Sequence, residues 1–286
     1  MSINDEEQQY LNILDYVSKN GTKKQTRNGI TYSCFANLLK FDISTSFPLI
    51  TTKKMFFKGI VEELLWFLKG SVNSKILEEK GVNIWKKNSS REYLDSIGFN
   101  NYEEGYLGPI YGFQWRSFNG EIDQLKYILN ELKLENSRRI IINAWNPCQL
   151  HQQALPPCHL LYNFFKDDNN GLSCMMYMRS SDLFLGLPFN IASTALLTYI
   201  IAKVSGLDVK NIAISICDLH IYEEHLSAVE EQLKRTPFNF PQINIKKDID
   251  INISIDEKIK WIEKLEFDDF ELINYNYHDS IKAIMK

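Results

Sequence analysis

Two segments of the sequence would form helices that are apolar nearly all round, and such helices have to be buried. The first is GIVEELLWFLKG, between Gly59 and Gly70, and the second is NIASTALLTYIIAKVSGL, which reaches Gly206. A helix without a polar face lies inside a protein, in contact with other elements all round. We therefore predict two buried core helices. One of the two carboxylates of the first helix, Glu62 or Glu63, should then face inward.

The other segments mix strand and helix patterns without a regular alternation. Helical spacing occurs in DEEQQYLNILDYVSKN (5–20), EIDQLKYILNELK and EEHLSAVEEQLKR. Strand patterns occur in GITYSCFANLLKFDIS, SRRIIINAWNP, HLLYNFF, LSCMMYMRS and IAISICDLHIY, and FPQINIKKDIDINISID predicts exposed strands. The stretch from NIWKKNSS to GFQW is interpreted as loop-rich and aromatic. This order predicts an α+β fold, a single domain over 1–286 with a large mixed β-sheet flanked by helices.

Composition and charge narrow the class of protein. Apolar residues make up 44% and charged residues 24% of 286 residues, which is typical of a globular chain, and the net charge of −4 gives no reason to expect nucleic acid as the main partner. The N-terminal MSINDEEQQY does not resemble a targeting segment, and no run approaches ~18 apolar residues, so we expect no membrane span. Five cysteines (Cys34, Cys148, Cys158, Cys174, Cys217) form no C-x-x-C pair and no metal-type spacing. We expect a soluble, cytoplasmic protein without a metal.

Two prolines stand directly before an adjacent cysteine and histidine in ALPPCHLLYNFF. Pro156 and Pro157 cannot donate hydrogen bonds to a sheet, so regular pairing should end before Cys158. Cys158 is then either a small buried apolar residue at the start of a strand or a nucleophile at the strand's edge. His159 should point to the opposite face of the strand, which excludes it as the general base for Cys158.

The few arginines are candidates for specific tasks in a chain whose basic residues are mostly lysine. There are seven arginines, and a planar guanidinium can grip a phosphate with two hydrogen bonds in a way that lysine cannot. Arg179 stands in RSSDLFLGLPFN together with Ser180, Asp182 and Asn190. Asn190 is either a helix cap or an amide whose donor and acceptor match N3–H and O4 of uracil.

One further strand carries polar residues that suit a binding site. In CDLHIY, alternation along the strand places His220 and Tyr222 on one face, with Asp218 nearby. Each of these side chains could also be an ordinary core residue with a satisfied hydrogen bond.

Taken together, the segments resemble the successive blocks of the thymidylate synthase family. LPPCHLLYNF, SRRIIINAWNP, RSSDLFLGLPFNIAS, DLHIYEEH, FPLITTKK, EELLWFLKG, EEGYLGPIYGFQWR and NYNYHDSIK occur in the family's order over about residues 7 to 286. The resemblance implies that Cys158 attacks C6 of the uracil in dUMP. It further implies 5,10-methylenetetrahydrofolate as co-substrate, which supplies a one-carbon unit and a hydride to give dTMP and dihydrofolate.

The resemblance also implies roles for individual residues. The catalytic group would be Cys158, Glu63, Tyr111, Asn190 and Asp182, with Glu63 organising a water network and Tyr111 assisting loss of the C5 proton. The dUMP site would comprise Arg27, His159, Arg179, Ser180, Asp182, Asn190, Asp218, His220 and Tyr222. Arg138 and Arg139 would reach the phosphate of the partner subunit in a homodimer, whose sheets pack across the interface. The folate pocket would comprise Lys53, Ile84, Trp85, Leu155, Asp182, Leu185, Gly186 and Phe189.

Some positions depart from the family pattern, and two other functions stay open. The departures are Thr26, Lys86, Tyr106, Met178, Cys217 and the ending IKAIMK, one residue short, which bears on how tightly the site closes. The alternatives are a dUMP or dCMP hydroxymethylase of the same fold and a non-catalytic nucleotide- or RNA-binding regulator. Trp85 favours hydride transfer and Asn190 favours uracil. With 286 residues, we do not expect a fused dihydrofolate reductase.

Overall fold

The protein is described from a computed structural model, which covers residues 4–284. Its main feature is a mixed six-stranded sheet with the order β1-β2-β6-β5-β4-β3. All neighbouring pairs are antiparallel except β5 and β6, which are parallel. The prediction of a large mixed sheet is therefore confirmed. The strands are β1 (Thr22–Thr26), β2 (Gly29–Asp42), β3 (Ile141–Asn143), β4 (His159–Lys166), β5 (Gly171–Asp182) and β6 (Asp208–Tyr222).

Nine α-helices in the described residues pack around and beside this sheet. They are α1 (Asp5–Asn20), α2 (Phe57–Leu68), α3 (Lys75–Glu79), α4 (Arg91–Ser96), α5 (Tyr111–Ser117), α6 (Gln124–Glu131), α7 (Gly186–Ser205), α8 (Leu226–Leu233) and α9 (Ile255–Glu263). The stretch 83–115 is loop-rich as predicted, although α4 and the start of α5 also form there. Ser90 caps α4 by accepting a hydrogen bond from Tyr93 N, which starts a helix despite the polar sequence.

The two helices predicted to be buried form the core. Helix α7 contacts β5, β6 and α2, and it ends at Gly206, whose φ of 68° is left-handed. Helix α7 is long and apolar enough to cross a membrane by length and composition, but 78% of its most apolar window is buried inside the protein. We conclude that α7 is a core helix, as predicted.

The alternating segment near residue 250 does not form the predicted run of exposed strands. Only β7 (Gln242–Ile245) forms, and it pairs with β8 (Phe270–Ile273) in a separate two-stranded sheet. Asp250 Oδ1 accepts from Asn252 N at 2.9 Å, and Ser254 caps α9 in a capping box with Glu257. These local side-chain bonds to the backbone replace strand pairing and turn the chain.

One face of the large sheet is covered by helices, and the other carries exposed apolar side chains. Met175 and Tyr177 alternate on β5, and strand register places Met175 opposite Asn163 and Tyr177 opposite Leu161. Phe165 on β4 and Leu38 on β2 extend this row, and Phe165 is 65% exposed. A shallow cavity of about 560 Å³ runs over this face, between Lys40, Arg138, Phe165 and Met175. We call this surface the open sheet face.

Candidate active site

Cys158 lies directly before β4, where the sequence placed it. Its carbonyl accepts from Arg179 N at 2.9 Å, and its N–H donates to the Tyr111 hydroxyl at 2.7 Å. Regular pairing of β4 begins at His159, with an irregularity before Leu161. Cys158 is therefore a partly buried thiol at the edge of a strand, and the predicted end of pairing before it is confirmed.

The two prolines hold an arginine against this thiol. Arg179 Nε donates to Pro157 O at 2.7 Å, and Nη2 donates to Pro156 O at 2.9 Å. The same Nη2 lies 3.6 Å from Cys158 Sγ. The two proline carbonyls hold the guanidinium in a fixed position, so its positive charge is preorganised next to the Cys158 sulfur.

Two opposing effects act on the Cys158 thiol. Burial raises its pKa because the thiolate loses hydration, and the Arg179 charge lowers it. Burial is the larger effect, so the pKa is raised overall. The Arg179 charge thus favours the thiolate, but it does not outweigh the effect of burial on the pKa of Cys158.

His159 is buried behind Tyr111. The two rings stack with their centroids 4.1 Å apart, and Nδ1 pairs with the Tyr162 hydroxyl at 3.0 Å. Burial lowers the pKa of His159 to about 3, which keeps the imidazole neutral. A neutral ring in this position supports Tyr111 from behind, as expected for a residue on the face opposite Cys158.

A small polar cavity of about 170 Å³ brings together five of the residues predicted to bind the nucleotide. Ser180 Oγ lies 3.3 Å from His220 Nδ1, which in turn lies 3.6 Å from Asp218 Oδ1. The His220 and Tyr222 rings meet edge to face at 5.3 Å, which confirms that both lie on one face of β6. Arg27, from the turn between β1 and β2, completes the five lining residues.

The same cavity has lining residues that the sequence reasoning missed. They come from the β1–β2 hairpin: Lys24, Thr26, Asn28, Thr31 and Ser33. Their signal was present as period-two spacing, because Lys24 and Thr26 alternate on β1 and Thr31 and Ser33 on β2.

The two glutamates of α2 have different partners. Glu62 forms an ion pair with Lys80 at 2.6 Å, whereas Glu63 Oε1 accepts from Trp85 Nε1 at 2.7 Å. Burial raises the pKa of Glu63 to about 7, although the Trp85 hydrogen bond opposes it. Trp85 also meets the Tyr111 ring at 6.0 Å. Glu63 therefore belongs to the same cluster as Tyr111 and Cys158, and it can gain or lose a proton near neutral pH.

Asn190 is not a helix cap. Helix α7 begins at Gly186, with Leu185 at the cap position, so Asn190 lies within the helix and that alternative is wrong. A Cβ placed on Gly186 would lie 3.6 Å from Asp182 Cβ and 3.9 Å from Asn190 Oδ1. Asp182 and Asn190 therefore lie next to Gly186.

Asp182 fixes the approach to α7. It accepts hydrogen bonds from Phe184 N at 2.9 Å and Leu185 N at 3.3 Å. Burial raises the pKa of this carboxyl, but nearby His225, His220 and the Phe184 N–H more than offset burial, so the pKa is lowered overall. The apolar residues predicted for the folate pocket are all wholly or partly buried against the core: Ile84, Trp85, Leu155, Leu185 and Phe189.

Lys53 points inward, beneath the segment before α7. Its ammonium lies 3.6 Å from the centroid of the Phe184 ring and donates to Phe184 O. Burial lowers the pKa of Lys53 to about 7, and the charges of Asp182 and Glu7 oppose that shift. Lys53 thus supports the backbone that carries Leu185.

Arg138 and Arg139 lie apart from the Cys158 cluster in a single chain. Both side chains are exposed just before β3, and Arg138 lines the cavity on the open sheet face rather than the one that contains Arg27. Within residues 4–284, no group of three His, Cys, Asp or Glu side chains could hold a metal ion.

Comparisons with known proteins point to one family. The family model described as thymidylate synthase matches residues 8–286. The chain is 46% identical over 294 residues to the bifunctional dihydrofolate reductase-thymidylate synthase of Paramecium tetraurelia, covering 98% of this chain and 61% of that protein. It is 44% identical over 297 residues to the bifunctional protein of Zea mays, covering 98% of this chain and 54% of that protein.

A relative whose name gives a single activity is similar over most of its length. The thymidylate synthase of Homo sapiens is 43% identical over 293 residues, covering 98% of this chain and 90% of that protein. By contrast, the chain spans little more than half the length of the two bifunctional relatives. The family model and these identities extend over nearly the whole sequence, and the chain belongs to the thymidylate synthase family.

Proposed function

We propose that this protein methylates dUMP to dTMP and uses 5,10-methylenetetrahydrofolate as co-substrate, with dihydrofolate as the second product. The observation that carries the proposal is the thiol of Cys158, with the Arg179 guanidinium held 3.6 Å away by two proline carbonyls. The family match supports it, and it does not favour the hydroxymethylase or the non-catalytic regulator. No metal takes part in the proposed reaction.

In the first step, the Cys158 thiolate forms a bond to C6 of the uracil. The electron pair of the C5–C6 double bond then moves towards C5 and O4, which makes C5 a nucleophile. Arg179 favours the thiolate by its charge, and a phosphate dianion placed beside Arg179 would share that charge. Glu63, with a pKa of about 7, is suited to hold a proton at O4 through water.

The later steps need a proton to leave C5 and the C6–S bond to break. The folate supplies a methylene carbon and a hydride when it is bound. The Tyr111 hydroxyl accepts a hydrogen bond from Cys158 N at 2.7 Å, and from this position it would assist removal of the C5 proton. When that proton leaves C5, its electron pair would form a double bond to the methylene carbon and break the bond from that carbon to the folate nitrogen. The hydride from the folate would then add to the same carbon, which becomes the methyl group, and the electron pair would re-form the C5–C6 double bond as Cys158 departs as thiolate.

Recognition of dUMP is assigned to the polar cavity and its surroundings. We propose that Arg27, Arg179 and Ser180 bind the phosphate, and that His220 and Tyr222 bind the deoxyribose hydroxyl, with Asp218 orienting His220. The Asn190 amide would pair with N3–H and O4 of uracil. His159 would act from behind Tyr111.

The folate is assigned to the surroundings of Gly186, next to Asp182 and Asn190. Ile84, Trp85, Leu155, Leu185 and Phe189 would provide apolar walls, and Asp182 would face the pterin ring. Lys53 would contribute by supporting the segment before α7. How the chain's last residues, Met285 and Lys286, bear on closure lies outside the described residues.

We further propose that the active protein is a homodimer formed through the open sheet face. Arg138 and Arg139 would then reach the phosphate site of the partner, in agreement with their distance from Arg27 in one chain. The open sheet face offers exposed Phe165, Met175 and Tyr177 for such an interface. We also propose that residues 1–286 form one domain and that the protein acts in the cytoplasm.

A spectrophotometric assay with product identification tests this function. With dUMP and methylenetetrahydrofolate, the protein should produce dTMP together with dihydrofolate, seen as rising absorbance. Cys158→Ser should lower kcat by at least ~10³-fold, which is the scale seen when a covalent nucleophile is removed. Cys148→Ser, at an exposed cysteine, is the matched control and should leave kcat unchanged. A hydroxymethylated product, or near-normal turnover by Cys158→Ser, would contradict the proposal.

A further inference from the structure

His225 is a buried histidine that the sequence reasoning did not select. It ends the short 3-10 turn Glu223–His225 between β6 and α8, and its side chain is fully buried. Its ring lies 5.6 Å from the Phe184 ring and 5.5 Å from the Tyr222 ring, centroid to centroid. His225 is thus packed between the segment that leads into α7 and the end of β6.

The two ring nitrogens face different parts of the chain. Nε2 lies 2.8 Å from the backbone oxygen of Ile284, and because a carbonyl only accepts hydrogen bonds, Nε2 carries the proton. Nδ1 is buried without a hydrogen-bond partner among the described residues. It faces Asp182 Oδ1 at 3.9 Å, slightly too far for a direct hydrogen bond.

This arrangement favours the doubly protonated ring. If His225 were neutral, the lone pair of Nδ1 would face a carboxylate, which is repulsive, whereas an imidazolium would present an N–H to it. Burial lowers the pKa of His225, but Asp182 and the Ile284 carbonyl more than offset burial, and the pKa is raised overall. The pKa of Asp182 is lowered, which agrees with an attractive pair.

Other charged or titratable groups surround the pair. Lys53 acts against protonation of His225, but burial brings the pKa of Lys53 itself down to about 7. Tyr222 approaches from β6, and Tyr10 and Glu7 approach the Asp182 and Lys53 side from α1. Of these groups, Asp182 is the one that the free nitrogen of His225 faces.

We propose that His225 is a positioning residue whose imidazolium joins the C-terminal segment, through Ile284, to the Asp182 carboxylate. Asp182 also accepts from Phe184 N and Leu185 N, so the contact extends to the backbone that carries the proposed folate pocket. Docking of the C-terminal segment and the geometry of Asp182 are then coupled. The consequence for catalysis rests on the proposed function, whereas the coupling itself does not.

Hydrogen–deuterium exchange measures the coupling without substrates. In the wild-type protein, a peptide covering 279–284 should be protected at pH 6, and this protection should fall about tenfold by pH 8 after correction for intrinsic exchange. The sign follows from linkage. Docking of the C-terminal segment raises the pKa of His225, so protonated His225 stabilises the docked state at low pH. This stabilisation is lost as the pH rises through that raised pKa. In His225→Gln, the side-chain amide can still bond Ile284, but the pH dependence should vanish.

Two further variants make the result specific. Asp182→Asn keeps the size of the side chain and should abolish the pH dependence as His225→Gln does. His278→Gln is the matched control, because His278 Nε2 also contacts a backbone carbonyl, Thr236 O at 2.8 Å, in the same C-terminal segment. The pH dependence should persist in His278→Gln. If it persists in His225→Gln, or is absent from the wild type, the coupling is refuted.

A kinetic measurement links the coupling to the reaction. His225→Gln should raise KM for the folate about tenfold, while the Kd for dUMP, measured calorimetrically, stays within about twofold. An equal loss of dUMP affinity would indicate general damage to the fold and would contradict a positioning role. If the wild-type protein has no synthase activity, the proposed function fails, and the exchange data still decide whether His225 joins the segment to Asp182.

Discussion

At the scale of single residues, the surroundings of a side chain decide its chemistry. Glu62 and Glu63 are adjacent on α2, yet Glu62 is neutralised by Lys80, whereas Glu63 accepts a hydrogen bond from the neutral indole N–H of Trp85. Burial without a cation raises the pKa of Glu63 to about 7. The same carboxyl that is suited to proton transfer is therefore costly to keep ionised in the folded state.

Glu63→Gln should make the folded protein more stable and the enzyme less active. A carboxyl whose folded pKa exceeds its ordinary value of about 4.3 destabilises the fold as pH rises from there to about 7. The amide keeps an acceptor for Trp85 and has no charge, so the variant should be about 1–3 kcal/mol more stable than the wild type at pH 8. The gain should disappear near pH 4, and kcat should fall about 10²-fold or more. Urea unfolding at both pH values and steady-state assays measure the two effects.

Glu62→Gln is the control for this experiment. It removes a carboxylate that is already paired with Lys80, so it should lower stability at pH 8 rather than raise it. A gain in stability from Glu62→Gln, or a loss from Glu63→Gln at pH 8, would show that the raised pKa of Glu63 has been misattributed.

The sequence located the chemistry-bearing residues better than it described their contacts. The positions of Cys158 and of the pair His220 and Tyr222 follow from local rules, namely proline and strand alternation. The hydrogen bonds from Arg179 to the carbonyls of Pro156 and Pro157 could not be predicted. They depend on how β4 and β5 are aligned, and Arg179 lies more than 20 residues from the prolines in sequence. His225 was missed, and the contact of Lys53 with Phe184 O was not predicted, for the same reason, since their partners are distant in sequence.

At the scale of elements, helix α1 shows how a polar residue can hold a helix in place. Its bounds, 5–20, agree with the predicted pattern. Glu7 lies on the buried stripe with Tyr10 and is fully buried, and its carboxylate accepts from the backbone N–H and hydroxyl of both Thr51 and Thr52. The stripe was visible in the sequence, but the segment that satisfies Glu7 is more than 40 residues away.

Glu7→Gln should therefore weaken the attachment of α1. Four donors converge on the Glu7 carboxylate, and an amide would turn an NH₂ group towards some of them, which leaves buried donors unsatisfied. We expect a loss of about 2–4 kcal/mol in the free energy of unfolding, measured in urea. Glu6→Gln, whose carboxyl accepts from Asp42 N at an exposed site, should cost less than about 1 kcal/mol. Equal losses for both variants would contradict this role of Glu7.

Element prediction failed where local turns imitate strand alternation. The isoleucines of 249–255 alternate with polar residues as in an exposed strand, but the polar residues between them are Asp, Asn and Ser. These side chains bond the backbone locally, as at Asp250 and Ser254, and so compete with pairing. A strand prediction from alternation should therefore consider which polar residues alternate, and not only their period of two.

At the scale of the whole molecule, the exposed open sheet face and the incomplete set of arginines at the phosphate site have one common explanation. A single chain leaves apolar side chains exposed on that face and leaves Arg138 and Arg139 away from Arg27. A homodimer formed through the open sheet face would bury these apolar side chains and would bring Arg138 and Arg139 to the phosphate site of the partner. Each active site would then combine Cys158 and Glu63 of one chain with two arginines of the other.

Mixing two inactive variants tests this shared site. Arg138→Ala/Arg139→Ala and Cys158→Ser should each be nearly inactive alone. After unfolding and refolding together in equal amounts, about half of the dimers are mixed, and each mixed dimer has one intact site, made of Cys158 from one chain and both arginines from the other. Activity should therefore recover to about one quarter of the wild-type value. In the control, Cys158→Ser is mixed with Glu63→Gln, which belongs to the same chain's site as Cys158, and no mixed dimer can gain an intact site. Subunit exchange can restore activity only if a site is built from both chains. Recovery of activity in the control would therefore refute the shared site. So would the absence of recovery in the first mixture while sedimentation shows that dimers have formed.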